Sequence, residues 1–138
     1  MKTYPYLPEL YLDPITKIVK AFYRPMIKVR ISQNRGEISE SFDALVDSGS
    51  DKNLFPIYFA NKIRVSLEKN PKKIYGIGNS FIIAYTGRIS LWKGVKKYET
   101  EADFTPEQRI PLLGRNGFFN LFKSIKFDEN DKILYIDE

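Results

Sequence analysis

Residues Ala44 to Pro56 read "ALVDSGSDKNLFP". An apolar run, Ala44-Leu45-Val46, ends on Asp47. The chain then turns through Ser48-Gly49-Ser50 and returns to apolar Leu54 and Phe55. A carboxylate at the edge of a core is costly to desolvate unless it is hydrogen-bonded or in use. One explanation is local: an aspartate closing a strand can accept a hydrogen bond from its own turn. The other is chemical, and the rest of the chain decides between them.

The 138 residues suffice for one domain with a real core, and 43% apolar content with 10 Phe and 9 Tyr argues against disorder. Cysteine and histidine are both absent. That removes disulfides, thiol nucleophiles, Ser-His-Asp and Cys-His catalysis, and imidazole or thiolate metal sites. Chemistry is left to carboxylates, hydroxyls, Lys, Arg and Tyr, with no metal and no cofactor expected. The opening "MKTYPYLPELYLDP" has three prolines and no uninterrupted apolar core, so it does not read as a secretory signal. No stretch approaches the length of a membrane span. The expected compartment is the cytoplasm, with neither membrane nor nucleic acid as partner. The net charge of +5 reads as a solvated Lys-rich surface, and "KNPKK" (Lys69–Lys73) as part of it.

Residues 1–25 read as an arm packed on the domain, punctuated by Pro5, Pro8, Pro14 and Pro25, with Tyr4, Tyr6, Tyr11, Phe22 and Tyr23 to pin it. Residues 26–138 form the domain proper. "MIKVRIS" (Met26–Ser32) alternates as a half-buried strand, "QNRGE" turns around Gly36, and "ISESFDALVD" (Ile38–Asp47) is its hairpin partner. "FPIYFANKIRVSL" accommodates a short helix or turns, with Pro56 tolerated at a helix start. "KKIYGIGNSFIIAYTGRISLW" gives two strands around a Gly76-Ile77-Gly78-Asn79 tip. "VKKYETEADFT" alternates as another strand. "IPLLGRNGFFNLF" predicts a strand, a glycine turn and a short helix, and "SIKFDENDKILYIDE" a terminal hairpin. Short strands at close spacing predict an all-β, barrel-like domain with one short C-terminal helix.

Three separated features need a common explanation: Asp47-Ser48-Gly49-Ser50 after a buried strand, the glycine-tipped hairpin Gly76-Ile77-Gly78-Asn79, and Leu112-Leu113-Gly114-Arg115-Asn116. Together, from Met26 to Phe122, they resemble the retropepsin-like aspartic proteases of the single-domain retroviral type. Members of that family carry Asp-Thr/Ser-Gly-Ala/Ser after a buried strand, a glycine-rich flap, and two bulky aliphatic residues followed by Gly, often Arg-Asn or Arg-Asp, and a short helix.

The resemblance implies a closed acid-protease barrel and peptide-bond hydrolysis by two carboxylates sharing one proton, one ionised to take a proton from water, the other polarising the scissile carbonyl. Asp47 is then catalytic, in a turn made by Ser48 and Gly49, with the Ser48 hydroxyl bracing the opposing turn. Ser50 lets substrate approach, Asp51 meets substrate backbone amides, and Gly76, Ile77 and Gly78 form the flap tip. Leu113, Gly114 and Arg115 are structural, with Arg115 paired to Asp51. The chain has one such motif: none of Asp13, Asp43, Asp51, Asp103, Asp128, Asp131 and Asp137 is followed by Ser/Thr-Gly. A dyad therefore requires a homodimer, one Asp47 from each chain. Two rival readings remain: the same barrel as a non-catalytic dimerisation or peptide-binding module, and a basic barrel that binds nucleic acid. The longer N-terminal arm, the lack of a paired Gly-Gly at the hairpin tip and the extra C-terminal hairpin depart from the viral pattern.

Overall fold

The computed structural model describes residues 1–33 and 36–138. The turn expected over "QNRGE" includes Asn34 and Arg35, which lie outside the described residues. Twelve strands follow in chain order: β1 (Lys2–Pro5), β2 (Leu7–Leu12), β3 (Val19–Arg24), β4 (Met26–Ser32), β5 (Phe42–Val46), β6 (Leu54–Pro56), β7 (Lys72–Tyr75), β8 (Phe81–Lys93), β9 (Lys96–Thr105), β10 (Leu112–Leu113), β11 (Ser124–Asp128) and β12 (Ile133–Asp137).

Period-two patterning decides the barrel. In β4, Ile27, Val29 and Ile31 are buried while Lys28 and Arg30 face solvent. It pairs with β5 through Met26↔Leu45 to Val29↔Phe42. The partner strand begins at Phe42, not at Ile38. Ser39 donates its backbone N–H to Ile31 O and accepts the Ile31 N–H at Oγ, so the side chain replaces a ladder hydrogen bond and ends the regular pairing. Strands β4, β5, β10, β6, β9 and β8 are neighbours in that order, and β8 returns to β4 through Arg30↔Trp92 to Ser32↔Ser90. That pairing closes a six-stranded barrel. Inside it, Phe55, Phe104, Phe118 and Leu113 are fully buried, with Phe42, Phe55 and Phe104 meeting edge to face at 5.6 and 5.8 Å.

The one α-helix among the described residues, α1 (Ile57–Ile63), follows Pro56 and ends on Arg64 in the left-handed conformation. It buries Ala60 and Ile63 against the barrel. The short helix expected near the C-terminus takes the form of one 3-10 turn, Phe119–Leu121. Phe118, Phe119 and Phe122 interlock there, and Gly117 with φ of 131° precludes an earlier helical start.

Outside the barrel lie two small sheets. One is three-stranded, β1-β12-β11, burying Leu134 and Ile136. Buried Lys93 donates to Tyr4 Oη at 2.9 Å and to Glu138, which also takes Lys96. Burial lowers the Lys93 ammonium, but the hydrogen bonds to Glu138 and Tyr4 outweigh it and raise the pKa. Tyr6, buried, donates to Glu129 at 2.9 Å, and burial followed by that bond pushes its hydroxyl up to about 12. The other sheet is the hairpin β2–β3, paired Leu7↔Arg24 to Leu12↔Val19 and joined to no further strand. Residues 1–25 thus split: Tyr6 is buried and Tyr4 half-buried, whereas Tyr11, Phe22 and Tyr23 are exposed.

Candidate active site

Asp47 sits where β5 leaves the barrel. Three successive backbone hydrogen bonds fix the strand end: Leu45 N–H to Pro111 O, Val46 N–H to Pro25 O and Asp47 N–H to Leu113 O, at 2.8 to 2.9 Å. The parallel pair Leu113↔Val46 holds β10 alongside. Beyond it the chain folds back on itself: Gly49 N–H donates to Asp47 Oδ1 at 2.9 Å and Ser50 N–H to Asp47 O at 3.1 Å. The local explanation of the aspartate is therefore realised for one carboxylate oxygen. Asp47 and Ser50 are half-buried, Ser48 and Gly49 exposed. A side chain at Gly49 would come within 3.2 Å of Asp47 Oδ1, so glycine keeps the carboxylate clear. Ser50 Oγ donates to Lys52 O at 2.7 Å, which ties the far side of the turn.

Leu113-Gly114-Arg115 is the turn's support. Arg115 N–H donates to Ser50 O and Asn116 N–H to Asp51 O, so two backbones run side by side. Gly114 is required by that approach: a Cβ there would lie 2.2 Å from Lys52 O. The expected Asp51–Arg115 ion pair is a correction. Among the described residues no such pair forms within the chain; both side chains are exposed, and the backbone hydrogen bonds already join the two segments.

Facing the turn across a cleft of about 670 Å³ is the β7–β8 hairpin, in register from Lys72↔Ala84 to Tyr75↔Phe81. Asp47, Ser50, Asp51 and Leu112 line one wall; Ile74, Tyr75, Gly76, Phe81 and Ile82 line the other. At the tip Ile77 is fully exposed and Gly78 adopts φ of 79°, the left-handed region that favours glycine. Gly76 has no such requirement: an added Cβ would meet only Ser80 Oγ at 3.9 Å.

Two residues at the site escape sequence reasoning. Asn53, fully buried, accepts the Gly114 N–H at 2.9 Å and donates to Glu101 O at 3.0 Å, bridging three segments. The signal was an amide at the threshold of the apolar Leu54-Phe55 run, where a buried polar group needs partners. Asp103 is 2% exposed on β9 and lines the same cleft. Its Oδ1 accepts from Thr86 Oγ1 at 2.7 Å and from Lys72 Nζ at 3.0 Å, while Oδ2 is buried without a partner. Its signal was a carboxylate between Ala102 and Phe104. Among the described residues no three Asp, Glu, His or Cys side chains gather as metal ligands would, and no helix is long and apolar enough to cross a membrane.

No protein-family model matches the chain, and no curated protein matches it in sequence. Among solved structures, the EIAV protease complexed with the inhibitor HBY-793 is similar, with a TM-score of 0.54 at 18% identity, over 67% of this chain and 82% of that one. The likeness is one of fold: this chain has a retropepsin-like barrel.

Proposed function

We propose that this protein is an aspartic endopeptidase, active as a homodimer, in which the Asp47 of each chain shares one activated water. The observation that carries the reading is Asp47 itself: a carboxylate held by backbone hydrogen bonds at a strand end, on the wall of a cleft, once per chain. Two such groups across a two-fold axis cannot both ionise, so the pair keeps one proton. The ionised carboxylate takes a proton from water as the oxygen attacks the scissile carbonyl. The protonated one donates to that carbonyl's oxygen. Collapse of the tetrahedral species breaks the C–N bond: the leaving nitrogen receives the proton taken from water, and one hydroxyl of the tetrahedral carbon returns its proton to the carboxylate that had donated.

In this reading the β7–β8 hairpin is the flap, with Gly76, Ile77 and Gly78 at its tip, and it excludes water from the bound peptide. Ser48 braces the paired turn, Ser50 admits the substrate backbone, and Asp51 meets its amides. Leu113, Gly114 and Arg115 hold the turn from behind.

The test is a mixing experiment on a peptide library read by mass spectrometry. Asp47→Asn alone should abolish cleavage. Equal amounts of wild type and Asp47→Asn, after full exchange, leave about a quarter of dimers with two aspartates, so activity per wild-type chain falls to about half. Full activity after demonstrated exchange would refute the shared site. A wild type that binds peptides without cutting any would leave a non-catalytic peptide-binding module.

A further inference from the structure

In the β2–β3 hairpin, residues opposite one another share a face, and alternate residues change face. The register therefore sorts the side chains into two sets. Leu7, Glu9, Tyr11, Lys20, Phe22 and Arg24 form one face, which satisfies itself. Arg24 pairs with Glu9 at 2.8 Å, Lys20 reaches Asp13 at 3.1 Å, and Tyr11 stacks on Phe22 at 4.7 Å. Pro8, Leu10, Leu12, Val19, Ala21 and Tyr23 form the other face. It carries no charge and touches no core: Leu10 is 69% exposed, Leu12 58%, Val19 63% and Tyr23 53%. No residue from Leu7 to Arg24 belongs to the hydrophobic core cluster. A lone two-stranded ribbon is at best marginally stable in water, and a contiguous exposed apolar face marks an interaction surface.

The root of the hairpin says what that surface meets. β3 runs through Pro25 into β4, and Pro25 O accepts the N–H of Val46, the residue before Asp47. Met26 lies opposite Leu45. The ribbon thus leaves the barrel beside Asp47, the one group whose proposed chemistry is incomplete without a second copy. Each strand has six residues, a reach of about 20 Å, enough to cross from the axis onto a neighbour. Each chain carries a net charge of +5, so two copies repel one another overall. The uncharged face is where they can meet without burying like charges. The cation-bearing face is turned the other way.

Resting on the homodimeric reading above, we infer that the β2–β3 hairpin is a dimerisation arm, its apolar face packed against a second copy of this chain beside the Asp47 turn. β1 and β12 already pair with each other within one chain, whereas β2–β3 pairs with no further strand among the described residues.

The experiment is sedimentation of the full chain over a concentration series, in wild type, Asp47→Asn and the double variant Leu10→Lys/Leu12→Glu. Wild type and Asp47→Asn should dimerise equally. The double variant should weaken the dimer by about a hundredfold or more, as loss of a central apolar cluster does, and lose activity in parallel. An unweakened dimer in the double variant would overturn the arm and leave the shared site standing. A wild type monomeric at every concentration would overturn both. Because the chain has no cysteine, Leu12→Cys supplies a sole thiol and a second readout that survives any misfolding of the double variant. Its reaction with a maleimide should slow about tenfold on going from monomer to dimer concentrations. Equal rates, or protection already in the monomer, would show that no second copy covers the arm.

Discussion

The two small sheets outside the barrel take up neighbouring stretches of the N-terminal segment, β1 in one and β2–β3 in the other, and differ in what covers them. β1 finds β12 beside it, and the sheet lays Leu134 and Ile136 on the core while Lys93, Glu138 and Tyr4 tie its edge. β2–β3 has an equally apolar side, yet none of the described residues of its own chain covers it. Alternation makes a strand; only a second layer makes it contribute to the monomer's stability.

Core truncation should separate the sheets most. Ile136→Ala, at a fully buried position, should destabilise the monomer by roughly 2–5 kcal/mol, whereas Val19→Ala should stay within about 0.5 kcal/mol. Urea unfolding at monomer concentrations measures both, and a comparable loss at Val19 would mean that the hairpin packs on its own barrel.

The pH response separates them next. The hydrogen bond from Lys93, then that from Lys96, lowers the Glu138 carboxyl from its usual 4.5 to about 2. A depressed pKa stabilises the fold above the unfolded value and ceases to do so as pH falls through the folded one. Stability should therefore decline between pH 4.5 and 2, by roughly 2 kcal/mol after allowance for a partly solvated carboxylate. Glu138→Gln should flatten that part of the pH-dependent melting curve; an unchanged slope would discount the ion pair.

The smallest effect belongs to the hairpin's charged face. The Glu9–Arg24 pair is solvent-screened, with half of the Glu9 side chain exposed, so Glu9→Gln should shift monomer stability by less than about 0.5 kcal/mol. A larger loss, read by the same urea titration, would give that face a structural part.

Much of this was legible beforehand where local rules suffice. Period-two patterning located β4, β9 and the β7–β8 hairpin, and the small residues after Val46 located the Asp47 turn. What escaped was set by tertiary partners. Asn53 and Asp103 are buried polar groups whose partners lie 61 and 17 residues away, beyond any local pattern. The short C-terminal helix is limited to one 3-10 turn, where three phenylalanines pack, whereas the helix after Pro56 falls where the sequence allowed one. Asp51 and Arg115 have the spacing of a pair, but their segments are joined through backbone. In "LPELYL" and "VKAFYR" the prolines and clustered aromatics suggested an arm and hid an ordinary strand register.

The hydrogen bonds that fix the Asp47 turn all come from Pro111 to Asn116, apart from the one at Pro25 and those within the turn itself. Gly114 alone can make the closest of these approaches. A chain growing from its N-terminus must add 64 residues after Asp47 to reach Pro111, the first of those partners. Closing so long a loop is among the slow steps of folding. The carboxylate is thus held in its working position only after nearly all of the barrel has been made, and an unfinished or truncated chain lacks the assembled turn.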